Sequence, residues 1–220
     1  MAWTLKDAKN PSEAEIEKLF DAARKAGPYE QMICSLAYNG ALRVSELIHI
    51  RVKDFNFTTG RMSMIPLKKA GKRRIKQSDG TYKTVDNPLP DPVEYNLPMN
   101  VMQLTKDYIK RNRLKDEDWL FPGYVRPNGC HIMKLECPGG HVCKRKVQAI
   151  FSRLLVKAGI GVPGRGIHSL KHGRLTEVAR KTKDPYLVKE MGRHSSIVMS
   201  DHYVRYANMR ERTDEIGGKV

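Results

Sequence analysis

Four short clusters of cations, histidines and a tyrosine carry side chains that could act on a phosphodiester. The first is Gly40-Ala41-Leu42-Arg43-Val44-Ser45-Glu46-Leu47. Arg43 follows a glycine turn near a helix start, and Glu46, three residues on, can brace it or cap the helix. Its plainer reading is a surface arginine. The second is Lys68-Lys69-Ala70-Gly71-Lys72-Arg73-Arg74, in what reads as a turn between strands. A flexible lysine there can reach into a groove and donate a proton; a generic phosphate-contacting patch explains the same residues. The third is Gly166-Ile167-His168-Ser169-Leu170-Lys171-His172, with His168 and Lys171 sharing a helical face. The glycine before it lets a backbone phosphate pass close to a helix N-terminus. His172 reads equally as a buried, hydrogen-bonded histidine. The fourth is Gly192-Arg193-His194-Ser195-Ser196-Ile197, followed by Asp201-His202-Tyr203-Val204-Arg205-Tyr206. A tyrosine nine residues past a histidine is a weak pattern alone, because most tyrosines are packing residues with a polar tip.

Cutting a phosphodiester without a metal sets three demands. A nucleophile must attack phosphorus in line, cationic donors must hold the non-bridging oxygens, and an acid must protonate the departing 5′ oxygen. Arginine suits the clamp because its planar fork meets two phosphate oxygens at once. The sequence carries no P-loop pattern G-x-x-x-x-G-K-[ST] and no obvious carboxylate cluster of the two-metal kind.

The charge balance points the same way. Forty Lys and Arg face 24 Asp and Glu, a formal net charge of +16. Nucleic acid is the commonest partner for such an excess, since each neutralised phosphate releases a condensed counterion. A solvated basic surface is the alternative. No stretch approaches the roughly 20 apolar residues of a membrane span. The start of the chain, Met1 to Asp7, has no apolar core of a secretory signal, which predicts a cytoplasmic, nucleoid-associated protein.

Periodicity places these clusters on elements. Ser12 and Glu15 form a capping-box pair ahead of Ile16, Leu19, Phe20 and Ala23, so a helix runs to Gly27-Pro28. A second helix is expected over about 29–38, and a third from near Ala41 carrying Leu42, Leu47, Ile48 and Ile50. Phe55 to Ile65 reads as a hairpin turning at Thr58-Thr59-Gly60. The run from Lys68 to Lys76 reads as a basic loop or strand end. Residues 77–92 read as a long excursion before a strand at Val93–Leu97. Helices follow over about 100–113 and 144–158, with a loop at 123–143 between them. The last third is helical, broken at Gly164-Arg165-Gly166, Asp184-Pro185 and Gly192. The sum is a single domain of α+β class, mainly α-helical, with a small antiparallel β-sheet.

Taken together and in order, the four clusters resemble the tyrosine recombinases, or phage-type integrases, which include the Xer recombinases. That family shows an L-R-x-S-E-L element, a lysine on a β-turn, an H-x-L-R-H element, and G-H-S-S-I followed by a tyrosine. The match runs from about Ser12 to Tyr206. The resemblance implies the tyrosine recombinase catalytic fold and strand exchange on double-stranded DNA by a tetramer, for integration, excision or resolution. It implies Arg43 as the first catalytic arginine, and Lys69 as general acid with Lys68 as its fallback. His168 would assist proton transfer or bind phosphate, Lys171 would take the place of the second arginine, and His194 would donate to the phosphate. Tyr203 would attack, leaving a 3′-phosphotyrosyl enzyme and a free 5′ hydroxyl; Tyr206 packs. Lys68, Lys72, Arg73, Arg74, Arg165 and Arg193 are the expected DNA contacts. Rejoining needs no ATP, and no cofactor is required for catalysis. Type IB topoisomerase-like relaxation and an accessory DNA-binding role are the alternatives.

The chain departs from that pattern in three places. Lys171 keeps a charge but lacks the bidentate fork of arginine. Arg193 stands between Gly192 and His194. The chain starts almost at the catalytic region, as either a fragment or a minimal recombinase relying on its own basic surface; lacking the family's N-terminal helical DNA clamp, it is expected to bind DNA more weakly and less selectively. Residues 204–220 form a tail that docks on a neighbouring protomer, packs in cis or stays disordered. Separately, Cys130, Cys137, His141 and Cys143, with His131 nearby, fall within 14 residues. A structural zinc, a disulfide and free thiols are three readings of that cluster. Cys34, on an apolar helix, reads as core.

Overall fold

Two helices that share one glycine begin the architecture. The computed structural model describes residues 11–66, 71–78, 80–87, 91–123 and 140–217. Helix α1, Glu13–Ala26, is closed at its start by the expected capping box: the Glu15 amide donates to the Ser12 hydroxyl and the Ser12 amide to the Glu15 carboxylate, 2.8 Å. Gly27, at φ +140°, turns the chain where a side chain would be strained, and Pro28 opens α2, Pro28–Asn39. Every residue of α2 from Met32 to Tyr38 is buried, so this helix runs through the centre of the molecule. The Tyr38 hydroxyl donates to Glu177 at 2.8 Å, tying α2 to a helix far along the chain.

The chain leaves α2 through Ala41, which holds φ +45° without being glycine. The expected third helix shrinks to one turn, α3, Val44–Leu47. Leu42, Ile48 and Ile50 are buried as expected, but as flanks of that turn. A 3-10 turn, Val52–Asp54, leads to β1, Phe55–Asn56, and β2, Arg61–Met64, joined around Gly60 at φ +70°. Strand β3, Gly71–Lys76, pairs antiparallel with β4, Tyr82–Asn87, from Gly71↔Asn87 to Lys76↔Tyr82. The Gln77 amide donates to the Thr81 carbonyl at 2.8 Å and closes that hairpin. Residues 77–92 are therefore no simple excursion: they supply the turn and return strand of a second hairpin. β5, Val93–Asn96, comes back to β2, giving a three-stranded antiparallel sheet in the order β1-β2-β5.

The remaining elements are helices: α4, Met99–Asn112; α5, Lys144–Lys157; α6, His168–Thr182; α7, Pro185–Gly192; and α8, Ile197–Gly217. The large core gathers α1, α2, α4, α5 and the sheet around Met32, Leu36, Phe121 and Phe151, all wholly buried. A smaller cluster, Ala41, Leu175, Val178, Ala179, Val188, Tyr203, Val204 and Ala207, joins α6, α7 and α8. The architecture is α+β and mainly helical, as the sequence predicts. Val204, Tyr206 and Ala207 continue α8 and are buried, so of the three readings of the tail the structure gives packing in cis for its first turn.

Candidate active site

Arg43 stands at the mouth of a cleft of about 510 Å³, lined also by Ser45, Gly164, Gly166 and His168 and, on α5, Gln148 and Ser152. Its backbone is extended at the N-cap of α3, φ −78° and ψ 152°. That geometry lets Glu46 reach back and take two bonds from one residue: the Arg43 amide donates to Oε2 and the guanidinium NH1 to Oε1, both at 2.8 Å. Both tasks foreseen for Glu46, bracing and capping, are performed at once. The Glu46 side chain is wholly buried, and burial alone would raise its pKa. The charges of Arg193, Lys171 and Arg43 and the Arg43 amide outweigh that and hold the carboxyl below its ordinary range.

His168 is the first residue of α6 and is exposed at the cleft. Its ring meets that of His172 edge-on at 4.6 Å. Lys171 does not share that face. It is 2 % exposed, and its ammonium donates to the carbonyls of Ala41, 2.9 Å, and Gly192, 2.8 Å. A lysine so placed stitches two loops together, where the resemblance implied a phosphate clamp. Buried carbonyls need donors, and this chain supplies them with an ammonium.

Tyr203 lies on α8, 5 % exposed, and its hydroxyl lies in hydrogen-bond contact with His172 Nδ1, 2.5 Å. The imidazoles of His172 and His194 stack on either part of its surroundings, with ring centres 5.8 and 5.7 Å from that of the tyrosine. Burial pushes the phenol pKa up, while the charge of Arg43 pulls against it. Burial first, then the positive charges of His168, Lys171, His194 and Arg43, hold His172 down at about 4. His172 is therefore neutral at pH 7, and in the tautomer that carries its proton on Nε2 its Nδ1 accepts from the phenol. His194 Nδ1 lies 2.9 Å from the hydroxyl of Ser200, which is fully buried. Ser200 has no motif to betray it, and His172 was left open between two readings; the tyrosine's partner is the answer.

Two of the expected DNA contacts turn inward instead. The Arg165 side chain is 3 % exposed, paired to Glu15 at 2.8 Å and donating to the Ile160 carbonyl. The Arg193 side chain is 5 % exposed and donates to the Gly40 and Ala41 carbonyls and to Glu46. In both cases a buried acceptor outcompetes solvent for the guanidinium. Lys72, Arg73 and Arg74 lie in β3, opposite Asp86, Val85 and Thr84. Lys68 and Lys69 lie outside the described residues.

Cys130, His131 and Cys137 of the cysteine cluster also lie outside the described residues. His141 Nδ1–H donates to the Val142 carbonyl, 2.9 Å, and the ring packs against His49 at 4.4 Å and Trp119 at 5.2 Å between ring centres. Cys143 is a free thiol at the start of α5. Among the described residues no group of three or more His, Cys, Asp or Glu stands close enough to hold a metal ion, and none of the described helices is long and apolar enough to cross a membrane.

Comparisons with known proteins bear on the family and the fold. Residues 10–210 match the model of the phage integrase family. The chain is 26% identical over 197 residues to the tyrosine recombinase XerA of Pyrococcus furiosus, covering 90% of this chain and 57% of that protein. It therefore spans little more than half the length of the curated relative it matches. Its fold is similar to that of a XerA recombinase crystal structure, TM-score 0.63 at 18% identity, over 94% of this chain and 65% of the other. It is similar also to the XerH site-specific recombinase bound to its palindromic difH substrate, TM-score 0.64 at 18% identity, over 94% and 52%.

Proposed function

Because the chain belongs to the phage integrase family, the tyrosine recombinases, we propose that it is a site-specific recombinase that cleaves and rejoins double-stranded DNA through Tyr203. One observation carries the assignment of roles: the Tyr203 hydroxyl, His172, His194 and the field of Arg43 meet in one place from three distant stretches of sequence. The net charge of +16 supports a polyanionic substrate. The likeness to XerH, whose structure is a DNA complex, supports the same substrate.

In this reading the phosphate enters the cleft beside Arg43 and His168, with His194 donating from the tyrosine side. The phosphodiester anion offsets the positive surroundings that hold His172 neutral, so its Nδ1 takes the phenol proton as the phenolic oxygen attacks. The Tyr203 oxygen–phosphorus bond forms while the bond to the 5′ oxygen breaks. Lys69 gives that oxygen its proton. The products are a 3′-phosphotyrosyl enzyme and a free 5′ hydroxyl, and the reverse steps reseal the strand on a new partner. Exchange between two duplexes calls for a tetramer of this chain on DNA.

The test is a nicked suicide duplex and a denaturing gel. Wild type forms a covalent protein–DNA adduct, Tyr203→Phe forms none, and Tyr206→Phe still does. An adduct in Tyr203→Phe but none in Tyr206→Phe would move the nucleophile to Tyr206. Strand exchange between two sites, against relaxation of a supercoiled plasmid bearing one, separates recombination from topoisomerase action.

A further inference from the structure

The two departures in the site, a lysine at 171 and an extra residue at 193, meet at the same backbone. Lys171 donates to the carbonyls of Ala41 and Gly192. Arg193 donates to Gly40 at 3.1 Å, to Ala41 at 2.5 Å and to Glu46 Oε2 at 3.1 Å. The loop that carries Arg43 and the turn that carries His194 are thus sewn together by two buried cations. Arg193 adopts a left-handed backbone, φ 53° and ψ 46°, at the end of α7. That conformation is costly for an arginine, and here it reverses the chain so that the guanidinium folds back over Ala41 while His194 returns to Tyr203.

Glu46 is the point where this stitching touches the chemistry. Its carboxylate is wholly buried, and it faces three cations: Arg43, Arg193 and Lys171. Oε2 is shared between the Arg43 amide and Arg193, while Oε1 takes the Arg43 guanidinium. With Arg193 in place the buried carboxylate shares its charge between Arg43, 2.8 Å away, and a residue that does no chemistry, 3.1 Å away. Without it, the same carboxylate would draw its compensation mainly from Arg43, whose charge would then face inward.

We propose that Arg193 is a positioning residue for Arg43, supplying the counter-charge to Glu46 so that the Arg43 guanidinium stays available to the scissile phosphate. The proposal rests on the reading of Arg43 and Tyr203 given above. Lys171 and Arg193 then act as one unit: the lysine fills the carbonyls and the extra arginine balances the acid.

The experiment is single-turnover adduct formation on the nicked duplex, at a temperature where circular dichroism shows each variant folded. Arg193→Met is expected to slow cleavage about 30-fold, with DNA affinity within about threefold, since the side chain is buried away from solvent. The discriminating variant is Arg193→Met combined with Glu46→Gln. A neutral amide no longer competes for Arg43, so the double variant should cleave about threefold or more faster than Arg193→Met alone, a coupling of the size contacting residues show. A purely structural Arg193 predicts the opposite, with the double variant slower than either single one, and that result overturns the proposal. Arg193→Lys keeps the charge and should stay within about fivefold of wild type; a loss equal to that of Arg193→Met also overturns it. If Arg193→Met does not fold, the Arg193→Lys arm decides. No adduct in wild type would sink the site reading itself; a normal adduct with an unaffected Arg193→Met sinks this role alone.

Discussion

The large core and the small one hold opposite halves of the chemistry. Arg43 follows directly on α2, whose inner residues are all buried, and the core around it contains 31 buried residues among those described. Tyr203 belongs to a cluster of eight, on α8, packed mainly by α6 and α7. The clamp therefore sits beside the larger core and the nucleophile on a part held by fewer buried apolar residues. Local opening free energy follows such differences. The nucleophile is also enclosed, 5 % exposed with its hydroxyl at His172. A phosphate clamp beside a large core and a tyrosine held with its proton acceptor in a smaller cluster divide the chemistry between two separately packed parts.

Truncations on each side test this contrast most strongly. Phe151→Ala removes a wholly buried ring from the large core and should cost about 3–5 kcal/mol of global stability, read by chemical denaturation. Val188→Ala, in the small cluster, should cost about 1–2 kcal/mol. Amide exchange gives the sharper reading. Phe151→Ala should lower protection throughout, whereas Val188→Ala should lower it in α7 and α8 and leave α2 unchanged. Equal loss in α2 from both would mean that the two clusters open as one, and the contrast would be void.

The next effect is a pH dependence confined to the nucleophile's side. His172 is held at about 4 against an ordinary 6.5. A depressed histidine binds its proton more readily when unfolded, so stability is present above pH 6.5 and falls as the pH drops towards 4. The shift corresponds to about 3 kcal/mol. Protonation would also reverse the Tyr203 hydrogen bond, with His172 Nδ1–H donating to the phenol oxygen. Thermal denaturation of wild type should therefore show a loss between pH 6.5 and 4 that His172→Gln lacks. If both fall in parallel over that window, His172 titrates normally and is not the buried partner of the nucleophile.

The two halves also differ in how legible they were. The helices, the capping box at Ser12 and the Gly60 hairpin follow from local rules, and these built the large core. Arg43 and its brace Glu46 were legible for the same reason, being three residues apart. The hairpin of β3 and β4 was half hidden, because Asp, Gly, Pro and Thr composition signals a turn without saying that strands flank it. Lys171, Arg165 and Arg193 were misread as facing a ligand. A cation in sequence carries no mark of whether its acceptor is a phosphate or a buried carbonyl. Those acceptors, Gly40, Ala41, Gly192, Ile160 and Glu15, come from residues 5 to 153 positions away. His172 and Ser200 gained their partners by tertiary packing in the same way.

The smallest expected effect is also the one that isolates geometry from stability. Gly192 ends α7, and a Cβ added there would lie 2.7 Å from Nε2 and 2.8 Å from Cε1 of His194. Real Cβ atoms do not come that close, so in Gly192→Ala the imidazole must swing. It is not free to do so without consequence, because it stacks on Tyr203 and its Nδ1 is held at Ser200. The backbone itself has no objection: Gly192 is not among the residues of positive φ, and alanine in place of a helical glycine gains about 1 kcal/mol in propensity. Gain and clash should roughly cancel, leaving the midpoint of thermal unfolding within a few degrees of wild type. Cleavage should nevertheless fall about tenfold, since a displacement of about 1 Å in a catalytic group costs that much or more. Unchanged cleavage would mean that the position of the His194 ring does not matter, and its place on the tyrosine side of the phosphate would then be wrong. A large fall in stability would instead make the turn at 192–194 part of the core, and the small cluster less separate from the large one than its size suggests.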